Sequence, residues 1–314
     1  MHTINWGIIG CGNVTEKKSG PAFNKVPNSR LVAVMRRDAE KAADYAKRHN
    51  ISKWYSDADE LMNDPEINAV YIATPPAQHL SYALAALKKG LHVYVEKPVT
   101  LNAVEAQQMA DAVTQSNGKL TVCHYRRQLP LFLKIKELIE TGTIGDIRTV
   151  QIRLWQSRKP GLVANSETNW RINPELSGGG YFHDLAPHQL DIMLYYLGKP
   201  LKYDGFSLNQ AGMSAADDNV NGQILFNNNI PVSGSWAFNV VESEQVDLCE
   251  IIGSAGKITF AFFGNYIRLN NELIEFTQPE HIQQPMIEQV VKYFSGERTE
   301  NPASIEEAIT LTCF

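Results

Sequence analysis

The sequence predicts an α/β protein in two parts, an N-terminal doubly wound parallel sheet followed by a C-terminal α/β region containing a large, mostly antiparallel open sheet. Three observations predict it. Short apolar runs alternate with helix-period segments from residue 1 to about 123. The first of these runs stops at Gly10-Cys11-Gly12 and is succeeded by a second, as a βαβ unit requires. From about residue 124 the rhythm changes to strand candidates joined by Gly and Asn turns. The expected domains are therefore 1–123 and 124–314.

In the first part, strands are expected over residues 5–9, 31–35, 69–73, 92–95 and 120–123, several of them unbroken apolar runs, as strands covered on both faces should be. Helices are expected over 39–49, 81–89 and 103–116, with Asn102 and Glu105 as a capping-box pair for the last. In the second part, a helix over 131–140 closes at Gly142, a strand covers 149–155, a long polar loop follows, and a helix begins near Phe182. Strands are then expected over 202–208, 220–226, 231–238, 245–253, 257–262 and 266–269, turning at Asn227-Asn228-Asn229 and Gly253-Ser254-Ala255-Gly256. Such a sheet packs one face on helices and leaves the other needing a cover, which a second subunit would supply.

The chain of 314 residues, 44% hydrophobic and 20% charged, can bury a large core. A formal net charge of −5, with no stripe of Lys and Arg interleaved with aromatics, speaks against nucleic acid as a partner. No apolar run approaches the ~18 residues that span a bilayer. The N-terminus enters a strand at once and carries no signal sequence, so the expected location is the cytoplasm. Cys11, Cys123, Cys249 and Cys313 stand far apart without a Cys-x-x-Cys and read as reduced structural thiols.

A strand ending in Gly-x-Gly and feeding a helix lets the backbone approach a pyrophosphate, whose charge sits on the unpaired N–H groups of the helix start. Gly10, Gly12, Asn13 and Val14 are the candidates, although an ordinary tight turn fits the same residues. The third small residue of that fingerprint is here Thr15, or is displaced to Ser19-Gly20. Beyond the second strand, where an NAD site places an acid, stands Met35-Arg36-Arg37-Asp38. Two guanidiniums suit a 2′-phosphate, which favours NADP(H) over NAD(H); alternatively Arg36 and Arg37 are a solvated strand end and Asp38 the N-cap of the next helix.

Three later constellations carry chemistry. Thr74, Pro75 and His79 follow the strand at 69–73, whose end should flank the dinucleotide, though His79 equally suits a helix cap. Glu96-Lys97-Pro98 follows the strand at 92–95, so Lys97 emerges where a nicotinamide would lie and can polarise a substrate hydroxyl; a trans Lys97-Pro98 bond is the default expectation. Gly178-Gly179-Gly180 leads into a helix on which Asp184 and His188, four apart, share a face. An imidazole oriented by a carboxylate is an acid–base pair. A metal pair is the rival, but His183 points elsewhere and no third ligand stands out, so no metal is expected; a purely structural Asp–His brace also fits.

A Gly-x-Gly opening, Glu96-Lys97-Pro98 and a glycine run leading into Asp184-x-x-x-His188, in that order across nearly the whole chain, resemble the glucose–fructose oxidoreductase, inositol dehydrogenase and MocA (Gfo/Idh/MocA) family. The resemblance implies a Rossmann domain, a C-terminal α/β domain with a large open sheet, and homodimers or homotetramers formed through it. It also implies oxidation or reduction of a sugar, cyclitol or related polyol with NAD or NADP. Carried over, Lys97, Asp184 and His188 form the catalytic and substrate-binding group, with Lys97 anchoring the reacting oxygen, His188 exchanging the hydroxyl proton and Asp184 binding a neighbouring hydroxyl. Glu96 and Lys97 would also border the cofactor. Arg127 with Pro130 matches an Arg-x-x-Pro of the family and is taken as a substrate contact, and Trp170-Arg171 matches an element near the nicotinamide. A polar lining that includes Gln156, Arg158, Asn165 and Asn169 suggests a hydroxyl-rich ligand, while Arg158 or Arg171 could meet a substrate anion or pair with a nearby acid. Thr15 and Arg36 depart from the pattern of NAD-using members, and the chain ends at Phe314, short of the family's usual terminal helix. A catalytically silent dinucleotide sensor of the same fold is the second reading, disfavoured because a sensor needs none of the catalytic three.

Overall fold

A computed structural model describes residues 3–163 and 169–314, and the chain divides into two compact units. The first holds a six-stranded parallel sheet of β1 (Ile4–Ile9), β2 (Ser29–Met35), β3 (Lys53–Tyr55), β4 (Ala69–Ile72), β5 (His92–Val95) and β6 (Leu120–Val122). Its order is β3-β2-β1-β4-β5-β6, with the direction of winding reversing between β1 and β4. Between the strands lie α1 (Ala39–Arg48), α2 (Ala58–Met62), α3 (His79–Lys88) and α4 (Ala103–Thr114).

The unbroken apolar runs have the expected cause. Ile9, Val70, Ile72, Val93 and Val95 pack with Ala83, Leu87, Ala106 and Met109 of α3 and α4. Trp6, Tyr71 and Tyr94 carry an aromatic cluster, with Trp6 4.8 Å from Phe23 and Tyr71 stacked 5.2 Å from Tyr94. Asn102 caps α4 by accepting from the Glu105 amide at 3.0 Å, but the Glu105 carboxylate takes the Leu101 amide where the capping box expects that of Asn102. The short β3 and α2 were not expected, since three to five residues are too few to display a period.

The second unit opens on α5 (Pro130–Glu140) and β7 (Ile147–Trp155), continues through the four-residue α6 (Pro174–Ser177) and the long α7 (Gly180–Leu197), and then forms successive strands. These are β8 (Pro200–Leu208), β9 (Asn219–Phe226), β10 (Pro231–Ala237), β11 (Val246–Gly253), β12 (Lys257–Phe260), β13 (Tyr266–Leu269) and the unexpected β14 (Glu272–Glu275). With β7 they make an eight-stranded sheet, β14-β13-β12-β11-β7-β10-β9-β8, antiparallel except where β7 meets β10. Alternation on β7 sets the faces: Val150, Ile152 and Leu154 are buried while Gln151 and Arg153 point away. Helix α7 covers the buried face, where the Trp236 indole donates to Gln189 at 3.3 Å and meets the Phe182 ring edge to face.

One expected boundary is corrected. Residues 279–313 return to the first unit and do not belong with 126–278. Their helices, α8 (Gln284–Phe294) and α9 (Ile305–Leu311), had no expectation attached. The return has specific anchors: Phe294 lies 5.7 Å from Trp6, Ile305 and Ala308 join the core beside α4, the Val122 amide donates to the Ala303 carbonyl, and Asn301 donates to the Leu120 carbonyl at 2.7 Å. Cys11, Cys123 and Cys249 are buried free thiols, whereas Cys313 is exposed and so is no part of a core.

Candidate active site

In the first unit the candidate residues gather at the carboxyl ends of β1, β2, β4 and β5. Gly10 has φ +95°, and a Cβ there would fall 2.8 Å from Thr74 Cγ2, so both backbone conformation and contact demand glycine. Gly12 differs: nothing but the Gly10 carbonyl, 3.9 Å away, would meet a Cβ. The Gly12 carbonyl accepts the Thr15 and Glu16 amides, the first bonds of a helical segment that begins as a π-turn over Thr15–Ser19. The Thr15 hydroxyl donates to the same carbonyl at 2.8 Å, and its own carbonyl accepts from Tyr45 at 2.9 Å. A Cβ on Gly20 would lie 2.3 Å from both the Thr15 carbonyl and the Tyr45 hydroxyl. The close approach that a third small residue serves therefore falls at Gly20. Glu16 pins this segment to α1 through Arg48 and His49, and the bond from Arg48 lowers its pKa to about 2. Burial pushes the Cys11 thiol up to about 11, leaving it inert.

At the end of β2, Arg36 is half-buried with Nη1 3.5 Å from the Cys11 carbonyl, while Arg37 is exposed. Asp38 is the N-cap of α1 and accepts the Lys41 amide. At the end of β4, Thr74 Oγ1 is buried with no hydrogen-bond partner among the described residues. Open space at Gly12 and an unmatched hydroxyl at Thr74, beside the start of a helical segment, fit a dinucleotide phosphate.

Two expected cofactor contacts are corrected. His79 is fully buried, with Nε2 2.7 Å from the Thr74 carbonyl and Nδ1 2.9 Å from that of Pro98 and 3.2 Å from that of Val99. It ties the loop after β4 to the loop after β5 and presents nothing to a ligand; burial lowers its pKa. The Glu96 carboxylate also turns inward, accepting from the Tyr71 hydroxyl at 2.6 Å, the Gln283 amide at 2.8 Å and the Lys97 backbone N–H at 3.1 Å. Lys97 is half-buried at the head of this clamp, and the Lys97-Pro98 bond is cis, against expectation; the tertiary amide makes that form accessible.

In the second unit, α7 follows Gly178, the left-handed cap of α6, and starts at Gly180, where φ is +79° and a Cβ would fall 2.6 Å from Ala216 Cβ. Asp184 and His188 are both buried, one turn apart. Pro187 lies between them inside the helix, so the His183 carbonyl receives no bond from position 187. Arg171 is buried, stacks over the Trp170 ring at 4.4 Å and donates from Nε to Asp184 Oδ2 at 2.7 Å. His188 meets the Phe263 ring edge to face at 5.7 Å.

Arg127 is corrected as a substrate contact. Its guanidinium is buried and donates to both oxygens of Asp191, with Nη2 2.6 Å from Oδ1 and Nε 3.0 Å from Oδ2, and lies over the Tyr195 ring. Of the polar-loop residues, Gln156 is buried and donates to the Trp155 carbonyl, Asn169 donates to Tyr181, and Arg158 is exposed. Asn165 lies outside the described residues. Sequence reading missed Gln283, Asp247 and Phe263, none of which belongs to a motif, and gave no role to Asp191, three residues beyond His188. No described helix is long and apolar enough to cross a membrane.

These two halves define a class, a nicotinamide dinucleotide oxidoreductase with a separate sheet domain. Residues 4–124 match the model of the oxidoreductase family with an NAD-binding Rossmann fold, and residues 132–259 match the GFO/IDH/MocA C-terminal domain. The chain is 50% identical to Oxidoreductase P35 of Formosa agariphila over 313 residues, 98% of this chain and 96% of that one. It is 28% identical to 1,5-anhydro-D-fructose reductase of Ensifer adhaerens over 81% of this chain and 74% of the relative. The crystal structure of an oxidoreductase from Thermotoga maritima superposes with a TM-score of 0.88 at 24% identity, covering 100% of this chain and 94% of that one. The chain belongs to the Gfo/Idh/MocA family of oxidoreductases.

Proposed function

We propose that the protein transfers a hydride between NADP(H), in preference to NAD(H), and a secondary alcohol or carbonyl of a sugar, cyclitol or related polyol. One observation supports this most directly: Asp184 and His188 stand one turn apart on α7, with Asp184 held by Arg171. His188 accepts the hydroxyl proton on oxidation and returns it on reduction. Asp184, fixed on its other side, binds a neighbouring substrate hydroxyl. Lys97 donates to the reacting oxygen and stabilises negative charge there. Gly10, Gly12, Asn13, Val14, Thr74 and Pro75 hold the dinucleotide, with Arg36 and Arg37 on its 2′-phosphate and Trp170 near the nicotinamide. When bound, the nicotinamide supplies the hydride chemistry.

The test follows nicotinamide absorbance across a panel of aldoses, ketoses, inositols and sugar acids. On the substrate it selects, Lys97→Ala abolishes turnover and leaves NADPH affinity nearly unchanged. Full activity in that variant removes the assignment.

The protein also forms a homodimer or homotetramer of the cytoplasm through the sheet face turned away from α7. That face carries a shallow depression of ≈ 550 Å³ among Arg153, Asp204, Phe206, Gln223 and Ser233, and Phe206 and Leu208 are 59% and 50% exposed. Sedimentation giving only monomer would sink this.

A further inference from the structure

Phe263 stands in the turn between β12 and β13, outside every motif, yet its ring meets the His188 imidazole with planes at 85°. We propose that Phe263 is a positioning residue for His188, held in place by Asp247 and Arg126. The inference rests on the reading of His188 as the group that exchanges the hydroxyl proton.

The turn is fixed from several sides. Asp247, on β11, accepts the Phe262 amide at 3.1 Å and the Phe263 amide at 2.7 Å. Arg126 donates to the Phe262 carbonyl, and its guanidinium lies 4.2 Å from the centre of the Phe263 ring. The Phe262 side chain is fully buried, stacked on Phe132 and edge-on to Phe260. The Gly264 amide closes the turn on the Ala261 carbonyl. The backbone that carries Phe263 therefore cannot shift without breaking buried bonds.

On the other side, α7 is anchored by Gln189 to Trp236 and by Asp191 to Arg127. An imidazole has a broad χ2 well, so a helix alone leaves its plane free to turn. A fixed aromatic wall removes that freedom. Proton transfer depends steeply on the angle and distance of the accepting nitrogen, which is what such a wall controls. Charged groups on the elements that carry the pair include Asp184, bonded to Arg171, and Asp191, bonded to Arg127, on α7, and Asp247 on β11, with Arg126 over the Phe263 ring. Trimming the Phe263 ring leaves the Asp184–Arg171 and Asp191–Arg127 pairs untouched and removes only the ring contact of Arg126.

The test uses the full chain labelled with 13Cε1-histidine, the His188 signal being the one that His188→Asn removes from the eight histidines. Phe263→Leu is expected to move its titration midpoint by about half a pH unit or more. On the panel's substrate, Phe263→Leu is expected to lower kcat by about tenfold or more, with NADPH affinity unchanged. Phe263→Tyr keeps the ring and restores both. Asp247→Asn, which keeps one acceptor oxygen, gives a smaller change in the same signal. A wild-type titration and kcat in Phe263→Leu, or equal losses in Phe263→Leu and Phe263→Tyr, overturn the proposal. An inactive His188→Asn beside a fully active Phe263→Leu defeats this inference alone, whereas an active His188→Asn defeats the reading of His188 beneath it.

Discussion

Arg171 Nε lies 2.7 Å from Asp184 Oδ2, and both side chains are only 8% exposed. A short bond from a guanidinium to a buried carboxylate is charge-assisted and fixes the position of both groups. The flat face of Arg171 rests on Trp170, which a lysine ammonium could not copy.

Removing the cation alone therefore takes its ion-pair partner from a buried carboxylate. Arg171→Met is expected to cost about 3–5 kcal/mol of unfolding free energy. Arg171→Met combined with Asp184→Asn is expected to cost less, because both charges of the pair are removed together. Urea unfolding checks both, and an Arg171→Met protein of wild-type stability refutes the pairing as a structural element.

Acid stability should show two separate windows. The His92 Nδ1 accepts the Lys119 amide at 3.0 Å and the ring stacks on Phe294, so burial lowers its pKa from 6.5 to about 4. Between those values the unfolded chain binds the proton and the folded one resists it; stability therefore falls as pH drops from 6.5 to 4. Glu16 is depressed from 4.5 to about 2, so its contribution is complete above 4.5 and is lost as pH falls toward 2. His92→Asn keeps an acceptor near Nδ1 and should reduce the slope in the upper window, to which buried His79 also contributes, while Glu16→Gln should reduce it in the lower. Thermal melts at closely spaced pH check this, and an unchanged slope above pH 4.5 in His92→Asn is the contrary result.

The parallel sheet was legible because burial on both faces writes continuous apolar runs such as Val93 to Val95, and Gly10 because its φ and its contact with Thr74 leave no other residue. The faces of the second sheet were legible from the alternation on β7. What stayed hidden is long-range pairing. Gln283 meets Glu96 across 187 positions and Asp191 meets Arg127 across 64, distances over which no local period survives. His79 and Arg127 were misread for a related reason. A polar side chain that braces two loops or a helix looks, in sequence, like one that faces a ligand.

The proposed preference for NADP(H) turns on Arg36. The Met35 carbonyl accepts the Gly10 and Cys11 amides, so the residue after β2 is held beside the Gly10–Gly12 turn. Arg36 is half-buried there, and its contact with the Cys11 carbonyl, at 3.5 Å, is long enough to give way to a phosphate. A carboxylate in its place would repel a 2′-phosphate and accept the two ribose hydroxyls. Arg36→Asp is therefore expected to raise the Kd for NADP+ by about tenfold or more, ~1.4 kcal/mol, with that for NAD+ unchanged or lower. Arg37→Ala, at an exposed position, should weaken NADP+ less. Fluorescence titration of each variant with the two dinucleotides measures the ratio. Equal changes for both, or none, would leave Arg36 a surface charge and the preference for NADP(H) without a residue to carry it.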